Sequence, residues 1–364
     1  MKKIKIGVIG CGAIAQVHHI PNIIDLQDRY ELSYICDVSL DLVKFLQKKF
    51  HIPSITTEYR KLLESDIDAV LLCQSDPKTE SAVEAFREGK HVLIEKPMCF
   101  SVQNADKIIQ ACKDANTIGQ VAYMKLFDPG FRRIESDIKS LNDIRYVQVN
   151  HLHPDNSLHL AQFDIKVFNN SIAQPNYEKG SKNSALTQLD KEVTEAIGDQ
   201  NIQIKKAFRT IAGSMIHDLY GLRQLFGKNT KVNNVNIWNE GCSISIALDY
   251  GQGFICNVSW IDLPELWNFK ETIEIYGSQK RLILNYPSGF SKGLLSEVTI
   301  MDITNEKESR EITPKLCWES PFVAELKYFY DTIYGITDNK NSIINARNDI
   351  ELITSIINKY LTSK

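Results

Sequence analysis

The sequence predicts two domains of different class, a doubly wound parallel α/β domain followed by an α+β domain with a large, open, mostly antiparallel sheet. Three observations predict it. Over the first third of the chain, short apolar strands alternate with helical stretches of about 10 to 15 residues, the pattern of βαβ units on a parallel sheet. Beyond about residue 125, alternating strands follow one another through short turns, as antiparallel pairing requires. The 364 residues also exceed what one hydrophobic core comfortably holds.

In order, residues 4–9 read as a first apolar strand, and Gly-Cys-Gly at 10–12 turns the chain into a helix over 13–27. A strand at 32–36, a helix at 41–50, a strand ending at Leu72 and a helix at 79–88 follow. HVLIE at 91–95 is the next strand, and 102–114 the next helix. Right-handed crossovers make the doubly wound arrangement the economical one. In the second part, strands are expected at 146–153, 232–239, 242–250, 253–261, 271–277, 281–286 and 296–303, with tight turns at 250–253 and 277–280. Segments 322–334 and 346–361 are amphipathic and are expected as helices at the domain junction. The domains are placed at 1–122 and 123–364, and the polar tract 169–203 reads as a long insertion with some helix.

With 42 Lys and Arg against 45 Asp and Glu, scattered along the chain, there is no basic footprint for nucleic acid. No stretch approaches the roughly 20 apolar residues of a membrane helix. The opening MKKIKIGVIG is broken by glycine and reads as a first strand rather than a leader, so a cytoplasmic protein is expected. The eight cysteines form no CxxC pair and no metal-ligand spacing, so neither disulfides nor a metal site is expected. Cys11, Cys36 and Cys73 fall in or beside core strands, where cysteine acts as a small apolar residue.

The first motif is Gly10-Cys11-Gly12-Ala13-Ile14-Ala15, a GxGxxA that opens a helix directly after a strand. Gly10 permits the turn, Gly12 admits a pyrophosphate to the backbone, and Ala15 lets helix and strand pack closely. A strand-turn-helix can use glycines for backbone reasons alone, but this one stands in the first βαβ unit, and Asp37 follows the second strand. A carboxylate there accepts from an adenosine ribose and repels a 2′-phosphate, so NAD is preferred over NADP. Gly10, Gly12, Ala13, Ile14, Asp37, Ser75, Glu95 and Lys96 form the expected cofactor-binding set.

The second motif is Glu95-Lys96-Pro97 at the carboxyl end of a strand, where ligands of open α/β sheets sit. By itself, Lys96 reads first as a surface lysine in a loop. Together, GVIGCGAIAQVHHIP, GKHVLIEKPM and the following open sheet resemble the family of glucose-fructose oxidoreductase, inositol dehydrogenase and the MocA proteins. The resemblance also covers GSMIHDLYGLRQLFG at 213–227 and IEIYGSQKRLIL at 273–284.

The resemblance implies a Rossmann domain, an NAD(P)-dependent dehydrogenase acting on a sugar, sugar derivative or cyclitol, and a homodimer or homotetramer formed through the second-domain sheet. It also implies that Lys96 contacts nicotinamide and substrate and that His217 acts as acid or base. The family aspartate four residues before that histidine falls on Gly213, and the next family aspartate on Tyr220. Asp218 does not take that place, because neighbouring helical residues point about 100° apart. Lys125 and His153 join Lys96 and His217 as expected substrate contacts, with His151 and Asp155 nearby. His151, His153 and His159 lack a carboxylate constellation in sequence, so polar contacts or surface positions are expected rather than a metal. His18 and His19 read as packing and capping residues. Redox-neutral elimination or cleavage with retained NAD, and a non-enzymatic dinucleotide-binding regulator, remain alternatives.

Overall fold

The computed structural model describes residues 1–141, 143–168 and 184–363, of 184–186 the backbone alone. The chain divides into two compact units, residues 1–122 with 163–198 and 325–350, and residues 123–162 with 199–324 and 351–364.

The first unit carries a six-stranded parallel sheet of β1 (Ile4–Ile9), β2 (Tyr30–Cys36), β3 (Ser54–Thr56), β4 (Ala69–Leu72), β5 (His91–Glu95) and β6 (Gly119–Ala122). Their order is β3-β2-β1-β4-β5-β6. The order reverses between β1 and β4, and that switch point is where a doubly wound sheet opens a crevice at its carboxyl ends. Every residue of β4 is buried, as helices on both faces require. The helices begin and end on local chemistry. Ser39 Oγ accepts from Leu42 N at 3.3 Å to start Leu40–Phe50, and Ser101 Oγ accepts from Asn104 N at 3.1 Å to start Val102–Ala115.

The helix expected over 13–27 is present over residues 13–25, but it is not α-helical throughout. A π-helical stretch, Ala15–His19, passes into a short α-helix, Ile20–Asp25. Pro21 has no N–H to donate and cannot continue a regular ladder through that point. β3 and β6 escaped sequence reading because three or four residues are too few to display a period. The expected C-terminal helices are Pro321–Ile333 and Ile343–Thr362. In the first unit, Tyr30 Oη donates to Leu326 O at 2.7 Å and Arg29 pairs with Asp331 at 2.6 Å, so this late segment closes onto β2.

The second unit carries eight strands: β7 (Ile144–His153), β8 (Lys231–Trp238), β9 (Ser243–Asp249), β10 (Ile255–Asp262), β11 (Lys270–Gly277), β12 (Lys280–Tyr286), β13 (Glu297–Ile303) and β14 (Ser309–Ile312). Their order is β14-β13-β12-β11-β7-β10-β9-β8, antiparallel except for the β7–β10 pair. Along β7, Val147, Val149 and His151 are buried and alternate with half-buried residues, the period of two that defines one covered face. A helix the sequence reading passed over, Pro129–Asp137, packs there tightly: a Cβ on Gly130 would meet Leu284 Cδ1 at 2.6 Å. Of the 169–203 tract, 169–183 lie outside the described residues; Ser184–Ile197 is helical, and a second helix starts at Ile202.

Candidate functional site

In the first unit, β1 ends in Gly10, whose φ of +88° and whose position 2.2 Å (by an ideal Cβ) from Gln74 N leave room for no side chain. Gly12 differs. It is exposed, and a Cβ built on it would meet nothing within 4 Å. The loop therefore presents bare backbone to open space, with Ala13 and Ile14 half-buried beside it, at the entrance to a helix whose N–H groups favour an anion. Asp37, just beyond β2, accepts from Cys11 N at 2.8 Å through Oδ2 and from Ser39 N at 3.0 Å through Oδ1. It thus ties the glycine loop to the next helix, and each oxygen retains a lone pair for a ribose hydroxyl. These residues fit the adenosine-pyrophosphate half of a dinucleotide. Ser75 is exposed in the loop after β4.

Lys96 stands half-buried at the end of β5, and its amide donates to Glu95 Oε2 at 3.1 Å. Glu95 Oε1 lies 2.8 Å from His19 Nε2. Burial opposes ionisation of Glu95, yet the His19 hydrogen bond and the charges of Lys96 and Lys78 hold its carboxyl below the usual range. The carboxylate under Lys96 is therefore ionised and has a specific imidazole partner. His19, read from sequence as a packing and capping residue, is fully buried and does more than fill space. Deeper still, burial and the Glu95 charge push the Glu325 carboxyl well above its ordinary value, so it is held neutral.

In the second unit, His217 and Tyr220 share one face of the helix Ile216–Phe226, with His217 Nδ1 2.8 Å from Tyr220 Oη. That phenol accepts from Lys125 N at 3.3 Å and stacks on Tyr123 with ring centroids 4.0 Å apart. With one lone pair occupied, the phenol is placed to donate to Nδ1, the arrangement that leaves the proton of a neutral imidazole on Nε2. Asp218 turns the other way. It is buried, and its Oδ2 lies 2.9 Å from His151 Nδ1 on β7.

His151 Nε2 is 4.0 Å from Glu271 Oε2 on β11, and the Lys125 ammonium closes on the same carboxylate and lies 4.6 Å from the centre of the Tyr286 ring. Lys125, Glu271, His151 and Asp218 are all buried. Burial, reinforced by the Glu271 charge, pushes the Asp218 carboxyl up to about 6. Burial also opposes ionisation of Glu271, but Lys125 and His151 hold it below its usual range.

The absence of a carboxylate constellation around the histidines, read from sequence, is corrected here. Asp218 and Glu271 come to His151 from 67 and 120 residues downstream, and donor atoms of the three lie within 4.8 Å of one another. The Lys125 ammonium on Glu271 already supplies the positive charge that such a set needs. His153 and His159 are not part of it. His153 stacks on Trp260 at 5.4 Å, and burial with the nearby His151 lowers it to about 4, while Asp155 caps the helix Asn156–Leu160 through Ser157 N at 2.7 Å. Gly213, at the position of the family aspartate, lies in a π-helical stretch, Ile211–Met215, with nothing within 4 Å of a Cβ placed on it.

The family model GFO_IDH_MocA, described as an oxidoreductase family with an NAD-binding Rossmann fold, matches residues 4–123. An uncharacterised oxidoreductase of Bacillus subtilis is 30% identical over 141 residues, 38% of this chain and 41% of that protein. A myo-inositol 2-dehydrogenase of Thermotoga maritima is 28% identical over 138 residues, 37% of this chain and 41% of that protein. The matched stretch thus spans about two fifths of these curated relatives' length.

Fold similarity extends further. A structure described as a putative NADPH-dependent oxidoreductase from Desulfitobacterium hafniense superposes with a TM-score of 0.78 at 13% identity, covering 100% of this chain and 97% of that one. A 3-ketoreductase from Actinomadura kijaniata, in complex with NADP and TDP-benzene, gives 0.70 at 16% identity and 98% of both chains. The similarity to the GFO/IDH/MocA oxidoreductase family, with its NAD-binding Rossmann fold, is carried by residues 4–123.

Proposed function

We propose that this protein is an NAD(P)-dependent oxidoreductase acting on a hydroxyl or keto carbon of a sugar, sugar derivative or cyclitol, with NAD preferred. The observation that carries the reading is the bare Gly12 backbone at the switch point, flanked by the Asp37 carboxylate and followed at the end of β5 by Lys96 over an ionised Glu95. The nicotinamide supplies or accepts the hydride.

The chain's own groups bind, orient and handle protons. Asp37 selects against a 2′-phosphate by charge. Lys96 is assigned to nicotinamide and substrate contact, its backbone steadied by Glu95 and His19. His217 is assigned as the acid or base on the hydroxyl, its ring oriented by Tyr220. Lys125 and His153 were expected to touch substrate. The buried pairing of Lys125 with Glu271 supports a positioning role for it instead, and His153, held neutral, remains the polar contact we assign. The names of the inositol dehydrogenase and ketoreductase relatives support a polyol or sugar substrate. Pairing of copies through the eight-stranded sheet is part of the same reading.

The test is a screen of sugars, cyclitols and nucleotide-linked sugars for substrate-dependent NADH or NADPH formation, run on the wild-type chain and Lys96→Ala. Turnover that needs Lys96 supports the assignment; full turnover by Lys96→Ala at saturating cofactor sinks it. Bound cofactor without net turnover of any compound would favour the redox-neutral or regulatory alternative.

A further inference from the structure

The GxGxxA helix carries a residue that no motif requires. Gln16, one position after Ala15, spends its whole amide on two loops. Its Nε2 donates to Cys11 O at 2.8 Å, inside the glycine loop, and to Lys166 O at 3.0 Å. Its Oε1 accepts from Lys166 N at 3.0 Å. A side-chain amide that both gives to and takes from one backbone residue acts like a rung of sheet, and it fixes Lys166 to the loop 150 residues earlier in sequence. Two residues on, Phe168 packs against Phe45 of the helix Leu40–Phe50, with ring centroids 6.3 Å apart. The Lys166 ammonium reaches within 5.9 Å of the same ring while pairing with Asp164.

Segment 163–168 is therefore pinned at two points, to the helix after β1 and to the helix after β2. The first pin lies at the start of its helix beside the glycine loop and the second in the middle of the helix that follows Asp37; the loop and Asp37 border the adenosine-pyrophosphate half of a dinucleotide in this fold. We propose that residues 163–168 form a strap walling the adenosine end of the dinucleotide site and slowing release of the bound cofactor. The inference rests on the oxidoreductase reading above and deepens it. A cofactor that leaves slowly suits an enzyme that returns its hydride before exchange, as well as one limited by cofactor release.

The test uses the full chain and reads nucleotide exchange rather than activity. NADH, or NADPH if it binds better, is loaded and its fluorescence followed in stopped flow while excess oxidised dinucleotide displaces it. Two variants interrupt the strap at different points: Lys166→Pro removes the N–H that Gln16 Oε1 accepts, and Phe168→Ala removes the contact with Phe45. Each leaves the glycine loop and Asp37 untouched. The expected result is a dissociation rate raised about tenfold in Lys166→Pro, the scale of one lost hydrogen bond, and raised severalfold in Phe168→Ala. Unchanged dissociation rates in both variants, with wild-type melting temperatures, would overturn the strap while leaving the cofactor reading intact. A wild-type chain that binds neither NADH nor NADPH would overturn the cofactor reading and the strap with it.

Discussion

Tyr220 Oη lies 2.8 Å from His217 Nδ1, one helical turn along the same helix, at a position where the resemblance implies an aspartate. A phenol orients the ring without the charge of a carboxylate, so it stabilises a protonated imidazole less. Tyr220→Phe keeps the stacking on Tyr123 and removes only the hydroxyl. Turnover on the substrate found by the screen is expected to fall about tenfold, the scale of one lost hydrogen bond, and His217→Ala by about 10²- to 10⁴-fold. Wild-type rates in His217→Ala would remove it from the mechanism.

Gly213→Asp probes the same helix from the other side. Because a Cβ there meets nothing within 4 Å, the variant is expected to melt within a few degrees of wild type. A gain in turnover on a simple polyol would show that the missing carboxylate limits that chemistry. A large drop in Tm would contradict the space seen around the residue.

The two motif glycines should separate by phenotype. Gly12→Ala is expected to fold normally and to lose at least about tenfold in NADH affinity, because its methyl enters the open space over the loop. Gly10→Ala is expected to unfold the domain or lower its Tm sharply, since its Cβ would lie 2.2 Å from Gln74 N in a backbone with φ of +88°. Titration and thermal melts of the two proteins decide it.

Breaking the buried Lys125–Glu271 pair from one side strands a charge. Lys125→Met is expected to cost about 3 to 5 kcal/mol in urea denaturation, and Lys125→Met with Glu271→Gln less than the sum of the single changes. Additive losses would mean that the two groups do not interact.

Stability between pH 4 and 6.5 holds two opposing contributions. His153 has a folded pKa of about 4, below its unfolded value, so its contribution is present above about pH 6.5 and is lost as pH falls toward 4. Asp218, raised to about 6, contributes most below about pH 4 and loses that contribution as pH climbs through 6. His153→Gln should therefore flatten the loss of Tm on acidification, and Asp218→Asn should make Tm rise more steeply with pH than in wild type. Identical pH profiles for all three proteins would show that neither group titrates differently on folding.

The sequence by itself determined the class and order of the domains, the GxGxxA loop and the position of Lys96. Those signals are local: a strand, a turn that needs glycine, a helix, and a lysine at a strand end are each written within a dozen residues. The His217–Tyr220 pair was also within reach, since residues three apart on a helix share a face. Only the tertiary structure decided that Asp218 serves His151, that Lys125 spends its charge on Glu271, that His19 supports Glu95, and that Gln16 holds Lys166. Each of those contacts joins residues far apart in the chain, and burial decides them, because an ionic or amide group removed from water must find its partner wherever the fold brings one within 3 Å or so.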